Sequence, residues 1–119
     1  MKIRTADLNG AALDWAVAQC EGLDEREYVE IDNLYGAKWR GPEYSTDWAQ
    51  GGPIIEREKI EWQWIPAPDK AHQYGARKPS LGGLNRTFCM DGPTVLVAAM
   101  RCCVISEFGY EIDIPEELL

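Results

Sequence analysis

The stretch that decides the fold is residues 92–109, GPTVLVAAMRCCVISEFG. Proline is favoured at the first position of a helix, and Asp91 or Thr94 can accept hydrogen bonds from the free N–H groups there. Gly109 can adopt the left-handed conformation that ends many helices. The stretch therefore predicts a helix with one apolar stripe, formed by Leu96, Ala99, Met100 and Cys103 and widened by Val97, Val104 and Phe108.

A second helix is predicted over residues 8–22, LNGAALDWAVAQCEG. Its apolar residues recur at i, i+3, i+4 and i+7, which places them on one face of a helix. Since these are the two longest helical patterns in the chain, we expect them to share one core. The predicted core consists of Leu13, Trp15, Val17, Leu96, Met100, Val104 and Phe108.

Several short segments have the pattern of a strand. In Ile60–Ile65, isoleucine and tryptophan alternate with polar residues, which predicts a strand with one apolar face. Residues 2–5 and 110–114 predict two further short strands, and residues 28–31 predict another. Pro66 and Pro68 are expected to end the strand predicted at Ile60–Ile65.

The remaining segments predict one short helix and two long loops. Gly52-Pro53 has the signature of a helix start, and that helix is expected to end near Lys59. Residues 33–52 and 69–90 show no sustained period, and we expect about 70–88 to be a flexible loop. The prediction is a single α+β domain over residues 1–119, in which two main amphipathic helices pack with a short, mostly antiparallel sheet.

Composition restricts the class of protein. The 119 residues are 45% hydrophobic and 27% charged, as in a folded globular protein. No apolar run is long enough to cross a bilayer, and no secretory signal is expected, so we expect a cytoplasmic protein. The net charge of −8 makes nucleic acid an unlikely partner, because phosphates attract clustered Lys and Arg. The acidic stretch 21–32 instead leaves open an acidic decoy that resembles DNA.

Cysteine and histidine give no support to a metal site or a redox pair. The four cysteines form no C-x-x-C motif, and His72 is the only histidine. We expect Cys20, Cys102 and Cys103 to be buried thiols, and we expect no metal and no cofactor. A single histidine without a second positioned group is also weak support for a catalytic triad.

Residues 44–58, YSTDWAQGGPIIERE, contain most of the candidate site residues. They combine aromatic, hydroxyl, amide and carboxylate side chains with two adjacent glycines. One interpretation is structural, in which a capping turn forms and Trp48 covers the core. The other is recognition, since protein-binding surfaces favour aromatic residues beside polar ones. The candidates are Trp39, Tyr44, Ser45, Thr46, Asp47, Trp48, Gln50, Gly51, Gly52, Glu56 and Arg101.

Arg101 is included because its helical neighbours are nearly all apolar, where an unpaired charge is costly. The structural interpretation places it at the rim of the core or pairs it with a carboxylate such as Asp47, Glu56 or Glu111. The functional interpretation makes it an anchor for a ligand. A pocket near Asp47, Trp48, Glu56 and Arg101 would then serve a small enzyme or a ligand-binding protein.

Three stretches in order resemble the NinX-like proteins of temperate bacteriophages and prophages. They are Leu13–Ala18, Ser45–Glu58, and Gly92-Pro93-Thr94 continuing to Arg101 and to Ile114–Leu118. Val95 departs from the proline expected there, which is optional so near a helix start. The resemblance implies a small accessory protein in the cytoplasm of a phage-infected bacterium, and it implies no particular activity.

The sequence therefore favours a phage accessory protein that binds a host or phage macromolecule, expected to be a protein, without catalysis. The two alternatives are the pocket-based enzyme or ligand-binding protein and the acidic DNA mimic. No membrane partner is expected, and the chain is expected to be a monomer or a homodimer.

Overall fold

The structure is a computed structural model that describes residues 1–23, 41–66, 68–78 and 88–119. The strand predicted at 28–31, most of the acidic stretch 21–32 and the candidate Trp39 lie outside the described residues. Within the described part, the α-helices are α1 (Gly10–Cys20), α2 (Trp48–Glu58) and α3 (Val95–Phe108). The strands are β1 (Lys2–Arg4), β2 (Glu61–Trp64), β3 (Tyr74–Lys78), β4 (Phe88–Gly92) and β5 (Glu111–Asp113).

Helix α3 occupies the centre of the fold. The Thr94 hydroxyl accepts a hydrogen bond from the N–H of Val97 at 3.1 Å, which caps the helix, and Gly109 ends it with a positive φ of 83°. Every residue from Leu96 to Ile105 is buried, so the buried surface is wider than the predicted stripe. A helix that is apolar on all sides needs neighbours on all sides.

Helix α1 supplies one of those neighbours. Leu13 and Val17 of α1 are fully buried in the same core cluster as Met100 and Val104, which confirms the predicted joint core. Trp15 packs against this cluster and is partly buried. The prediction for Phe108 was wrong, because the last turn of α3 extends beyond the core and leaves that ring 43% exposed.

Two antiparallel sheets surround α3. Strands β2, β3 and β4 form one sheet in that order, and β1 pairs with β5 in the other. The second pairing joins the two ends of the chain, where the amino terminus also forms an ion pair with Asp113 at 2.9 Å. The α+β class and the antiparallel pairing predicted from the sequence are confirmed.

The three-stranded sheet covers α3 with one face. Ala76 of β3 lies opposite Met90 of β4, and both side chains are buried in the core. A Cβ atom at Gly92 would approach the Ala98 nitrogen to 3.0 Å, so this glycine lets β4 lie directly on α3. The sheet face that carries Ala76 and Met90 is therefore the inner face.

Two element predictions need correction. Residues 70–78 and 88–90 were predicted as loop, but they form a short 3-10 turn (Lys70–His72), all of β3 and most of β4. Strand β3 was missed because its sequence, YGARK, has one small buried residue and no alternating apolar pattern. It is the central strand, so its backbone is paired on both sides.

Helix α2 begins five residues earlier than predicted. Asp47 caps it, and the Asp47 carbonyl accepts from the N–H groups of Gln50 and Gly51, both at 2.9 Å. Pro53 thus lies inside the helix, where it has no N–H to donate to the Ala49 carbonyl. The predicted end was accurate, since Lys59 follows α2 in a left-handed conformation with φ of 55°.

Candidate binding site

The turn before α2 is held by its own polar side chains. One Asp47 carboxylate oxygen accepts from the N–H of Ala49 at 2.9 Å, and the other accepts from the Gln50 amide at 2.8 Å. The Gln50 amide oxygen in turn accepts from the N–H of Glu43 at 3.0 Å. The Gln50 hydrogen bond, and then that of Ala49, lower the pKa of Asp47. Asp47 and Gln50 therefore fix the shape of this turn.

A buried carboxylate attaches the same turn to α1. Asp14 is only 4% exposed and accepts from the N–H of Ser45 at 2.8 Å. Burial raises the pKa of Asp14, and its contacts with Ser45 offset part of that rise. The Ser45 hydroxyl is buried near this carboxylate, yet it makes no well-formed hydrogen bond of its own. Sequence reasoning missed Asp14, although a carboxylate in the middle of an apolar helical run was the available signal.

The two glycines of α2 face different surroundings. A Cβ atom at Gly51 would lie 2.7 Å from Leu96 Cδ2 and closer still to the carbonyl oxygen of Tyr44. A Cβ atom at Gly52 would meet nothing nearer than the Trp48 ring at 3.6 Å. Gly51 therefore allows α2 to lie directly against α3 and the preceding turn.

Trp48, the first residue of α2, projects outward and is 53% exposed. The structural interpretation that Trp48 covers the core was therefore wrong. Its ring borders an open cleft of about 420 Å³ between the starts of α2 and α3. The cleft is lined by Ser45, Thr46, Trp48, Tyr74, Pro93, Thr94, Val95, Leu96 and Val97.

The candidate residues from the sequence occupy three kinds of position. Thr46 and Trp48 line the cleft, and Ser45 lies behind them. Tyr44 and Gly51 are buried beneath the turn, Asp47 and Gln50 form its framework, and Gly52 lies within α2. The sequence did not identify Tyr74 as a wall of the cleft, because β3 was assigned to a loop, and it did not show that the start of α3 lies near the start of α2.

The structure does not bring the four residues of the predicted pocket, Asp47, Trp48, Glu56 and Arg101, together around the cleft. Of these four, Trp48 lines the cleft. Glu56 is exposed and lies eight residues after Trp48 in α2, about 12 Å along the helix axis at the usual rise per residue.

Arg101 has a structural role. It is 6% exposed, with its Nε donating to the Leu8 carbonyl and a terminal nitrogen donating to the Asp91 carbonyl, both at 2.7 Å. Burial lowers the pKa of Arg101, and the negative charges of Asp91 and Asp7 oppose this. The predicted position at the rim, or in an ion pair with Asp47, Glu56 or Glu111, was wrong for the residues the structure describes. Arg101 instead joins the end of β4 to the start of α1.

A second depression, of about 250 Å³, borders β2, β3 and β4 around Gly75. Its charged side chains already have partners: Arg77 contacts Glu61 at 2.7 Å, and His72 Nδ1 lies 2.8 Å from Asp91. The hydrogen bond with Asp91 raises the pKa of His72. These pairs leave no charged group directed at a ligand there.

The described residues also offer little for metal or thiol chemistry. They contain no group of three or more His, Cys, Asp or Glu side chains arranged to hold a metal ion. Burial raises the pKa of Cys20 to about 12 and also raises that of Cys103, so neither is an activated nucleophile. No helix in the described ranges has the length and apolarity to span a membrane.

The acidic stretch 21–32 is represented in the described residues by Glu21 to Leu23. Glu21 forms two hydrogen bonds to the Arg57 guanidinium, at 2.6 and 3.0 Å. Arg57 also contacts Glu58 at 2.8 Å, and the other Glu58 oxygen lies 2.8 Å from Lys78. The Lys78 hydrogen bond, and then that of Arg57, lower the pKa of Glu58. This network connects the ends of α1, α2 and β3.

Comparison with curated proteins yields no significant match. Comparison with protein-family models matches residues 4–107 to the family described as Bacteriophage P22, NinX. The match includes α1, α2, the turn before α2, the walls of the cleft and all of α3 except Phe108. It covers residues 13–18, 45–58 and 92–101 of the stretches that indicated the resemblance, whereas residues 114–118 lie beyond it. The chain therefore belongs to the bacteriophage NinX family of phage accessory proteins.

Proposed function

We propose that this NinX family member acts by binding another protein, of the host or the phage, in the cytoplasm of the infected bacterium and without catalysing a reaction. The observation that carries the proposal is Trp48, a large aromatic side chain held half-exposed beside an apolar cleft. Exposed tryptophan is costly to keep in water and is among the residues that contribute most at protein interfaces.

The shape and chemistry of the cleft favour an apolar side chain of a partner. Tyr74 and Pro93 provide further apolar surface, and Val95–Val97 complete the wall. Among the described residues that line it, the hydroxyl groups belong to Ser45, Thr46, Thr94 and Tyr74. A protein segment that inserts a hydrophobic side chain would displace water from this surface.

The support around the cleft favours binding with little rearrangement. Asp47 and Gln50 fix the turn, Asp14 holds its backbone, and Gly51 brings α2 against Leu96. A surface that is already ordered loses less conformational entropy on binding. The net charge of −8 favours a partner with basic residues beside its apolar anchor.

The alternatives have weaker support. An enzyme would need acid, base or nucleophilic groups that converge, but Arg101 is committed to two backbone carbonyls and Asp47 to its turn. The acidic DNA mimic depends on the acidic stretch 21–32, of which residues 24–32 lie outside the described residues.

The test compares two variants in capture from a lysate of phage-infected cells. Trp48→Ala removes the exposed ring from the cleft. Phe108→Ala removes an exposed ring at the opposite end of α3 and serves as the matched control. We expect Trp48→Ala to reduce recovery of the partner by on the order of tenfold or more, while Phe108→Ala leaves it unchanged.

Folding must be measured on the same samples. Because Trp48 is half-exposed, its truncation should change the free energy of unfolding much less than the ~3–5 kcal/mol typical of a buried tryptophan. Gln50→Ala is a poor probe of recognition, since Gln50 bonds to both Asp47 and Glu43. Equal recovery by Trp48→Ala and the unchanged chain would refute the proposal.

A further inference from the structure

Strand β2 forms one edge of the three-stranded sheet, and all four of its residues are exposed. Trp62 is 50% exposed and Trp64 is 59% exposed. The sequence predicted a strand in which these tryptophans lie on one apolar face. Within the described residues, β3 is the strand that pairs with β2, and no strand covers its outer side. An exposed edge with apolar residues is a template for pairing with another strand.

The backbone of β2 directs particular groups toward this open edge. The N–H of Ile65 donates to the Gln73 carbonyl at 2.7 Å, in register with the β2–β3 pairing. Main-chain groups of successive residues in a strand point to opposite sides. Glu61 and Gln63 therefore bond toward β3 like Ile65, whereas the N–H and C=O groups of Trp62 and Trp64 point outward.

The two indole rings share one face of the sheet. Trp62 lies opposite Ala76, and Trp64 lies opposite Tyr74, so both project on the inner face that covers α3. They sit at the margin of that face, where the rings stay half-exposed.

We infer that β2 pairs with β2 of a second copy of this chain, antiparallel and about a two-fold axis at Gln63. The symmetry axis is perpendicular to the sheet, so it keeps the inner faces of both copies on the same side. In this register Trp62 of one copy lies opposite Trp64 of the other. The four outward N–H groups and four outward carbonyls of these tryptophans then form four hydrogen bonds. This inference concerns the sheet edge and does not depend on the proposed function of the cleft.

When the two-fold axis is moved by one residue along β2, fewer of the outward N–H and C=O groups find a hydrogen-bond partner. An axis at Trp62 would place Trp64 opposite Ile60, whose N–H already donates to the Ile55 carbonyl at 3.0 Å. An axis at Trp64 would place Trp62 opposite Pro66, which has no N–H. An axis at Gln63 avoids both losses.

The local charge also permits two copies to meet, although each has a net charge of −8. The Glu61 carboxylate is paired with Arg77 at 2.7 Å, and in this register Glu61 lies opposite Ile65 of the other copy. No like charges face each other across the strands. The contacting surface is therefore self-complementary.

The expected size of the contact sets the expected affinity. A buried tryptophan covers roughly 200 Å², so completing the burial of four half-exposed rings contributes roughly 400 Å². Stable interfaces bury about 1,200–2,000 Å² in total. The dimer should therefore be weak and dependent on protein concentration.

The test uses disulfide formation by the purified full chain under mild oxidation. With the axis at Gln63, the two Gln63 residues face each other as a non-hydrogen-bonded pair with Cα atoms about 4.5 Å apart. This separation is compatible with a disulfide, which needs about 4.4–6.8 Å. The two Glu61 residues would lie four positions apart, about 13 Å, which is too far. Gln63→Cys should therefore form a reducible covalent dimer at least tenfold faster than Glu61→Cys or the unchanged chain.

Sedimentation velocity of the unchanged chain gives the second readout. The average mass should rise with concentration, and Trp62→Ala should shift the midpoint of that rise to at least tenfold higher concentration. Equal rates of crosslinking for Gln63→Cys and Glu61→Cys would overturn the inference, as would a monomer at every concentration. Faster crosslinking by Glu61→Cys would also overturn it, because the axis would then lie elsewhere. None of these outcomes bears on Trp48 or on capture of another protein.

Discussion

Helix α3 and strand β2 are both rich in large apolar residues, yet the fold buries the helix and leaves the strand exposed. All residues from Leu96 to Ile105 are buried in α3, including the charged Arg101. All residues of β2 are exposed, including Trp62 and Trp64. The difference teaches that apolar side chains favour burial, but the position of their element in the fold decides whether they are buried.

The number of neighbours explains the difference. Helix α3 contacts α1, α2, the three-stranded sheet and the 3-10 turn after β1. Among the described residues, β3 is the strand that pairs with β2, and β2 forms the margin of the sheet. The central helix therefore provides stability, whereas the edge strand leaves its two tryptophans exposed.

The largest expected effect is the difference between the losses in the free energy of unfolding caused by Met100→Ala and by Trp62→Ala. Met100 is fully buried in α3, and its truncation should lower the free energy of unfolding by about 2–5 kcal/mol. Trp62 is half-exposed, and its truncation should cost less than about 1 kcal/mol. Chemical denaturation of dilute protein measures both. A larger loss for Trp62→Ala than for Met100→Ala would reverse the assignment of core and edge.

A sharper comparison uses the two adjacent glycines of α2. Gly51→Ala forces a methyl group against the Tyr44 carbonyl and Leu96, and should destabilise the protein by about 1–3 kcal/mol. Gly52→Ala places its methyl group 3.6 Å from the Trp48 ring, an ordinary van der Waals contact, and should stabilise the helix by up to about 1 kcal/mol. The measurement is the denaturation midpoint of each variant. A shift of the same sign for both would show that α2 does not present Gly51 to α3.

The smallest expected effect is the pH dependence of stability that comes from His72, an exposed side chain. Its hydrogen bond with Asp91 raises its pKa above the ordinary value of 6.5. The folded state thus binds this proton more tightly than the unfolded state. The stability from this pair is therefore fully present below about pH 6.5 and is lost as the pH rises through the folded-state pKa.

An NMR titration of the His72 ring protons measures this pKa directly. Asp91→Asn removes the carboxylate charge and should return the pKa of His72 toward 6.5. A pKa at or below 6.5 in the unchanged chain would contradict the contact.

For the candidate site, the sequence selected a segment that borders the cleft in part. Ser45, Thr46 and Trp48 line the cleft, and Trp48 is the exposed ring that the recognition interpretation needs. Asp47 caps α2, as the structural interpretation of a capping turn allowed, whereas the hydrogen bonds by which Gln50 holds the turn were not foreseen. Asp14 and Tyr74 come from distant segments, so no spacing rule connects them to Trp48.

The sequence by itself determined the elements whose signals are local. The caps and apolar spacing of α1 and α3 predicted both helices to within two residues, and alternation predicted β2. The motifs along the chain also indicated the NinX family. These features depend on hydrogen bonds and side-chain periods between residues close in sequence.

Only the tertiary structure decided which surfaces meet. It placed Tyr74 beside Trp48, directed Arg101 to the backbone carbonyls of Leu8 and Asp91, and left Trp62 and Trp64 at an open edge. Strand β3 exists because β2 and β4 bond to both of its sides, although its own sequence shows little strand character. Burial and pairing are properties of distant segments packed together, so residue order alone could not specify them.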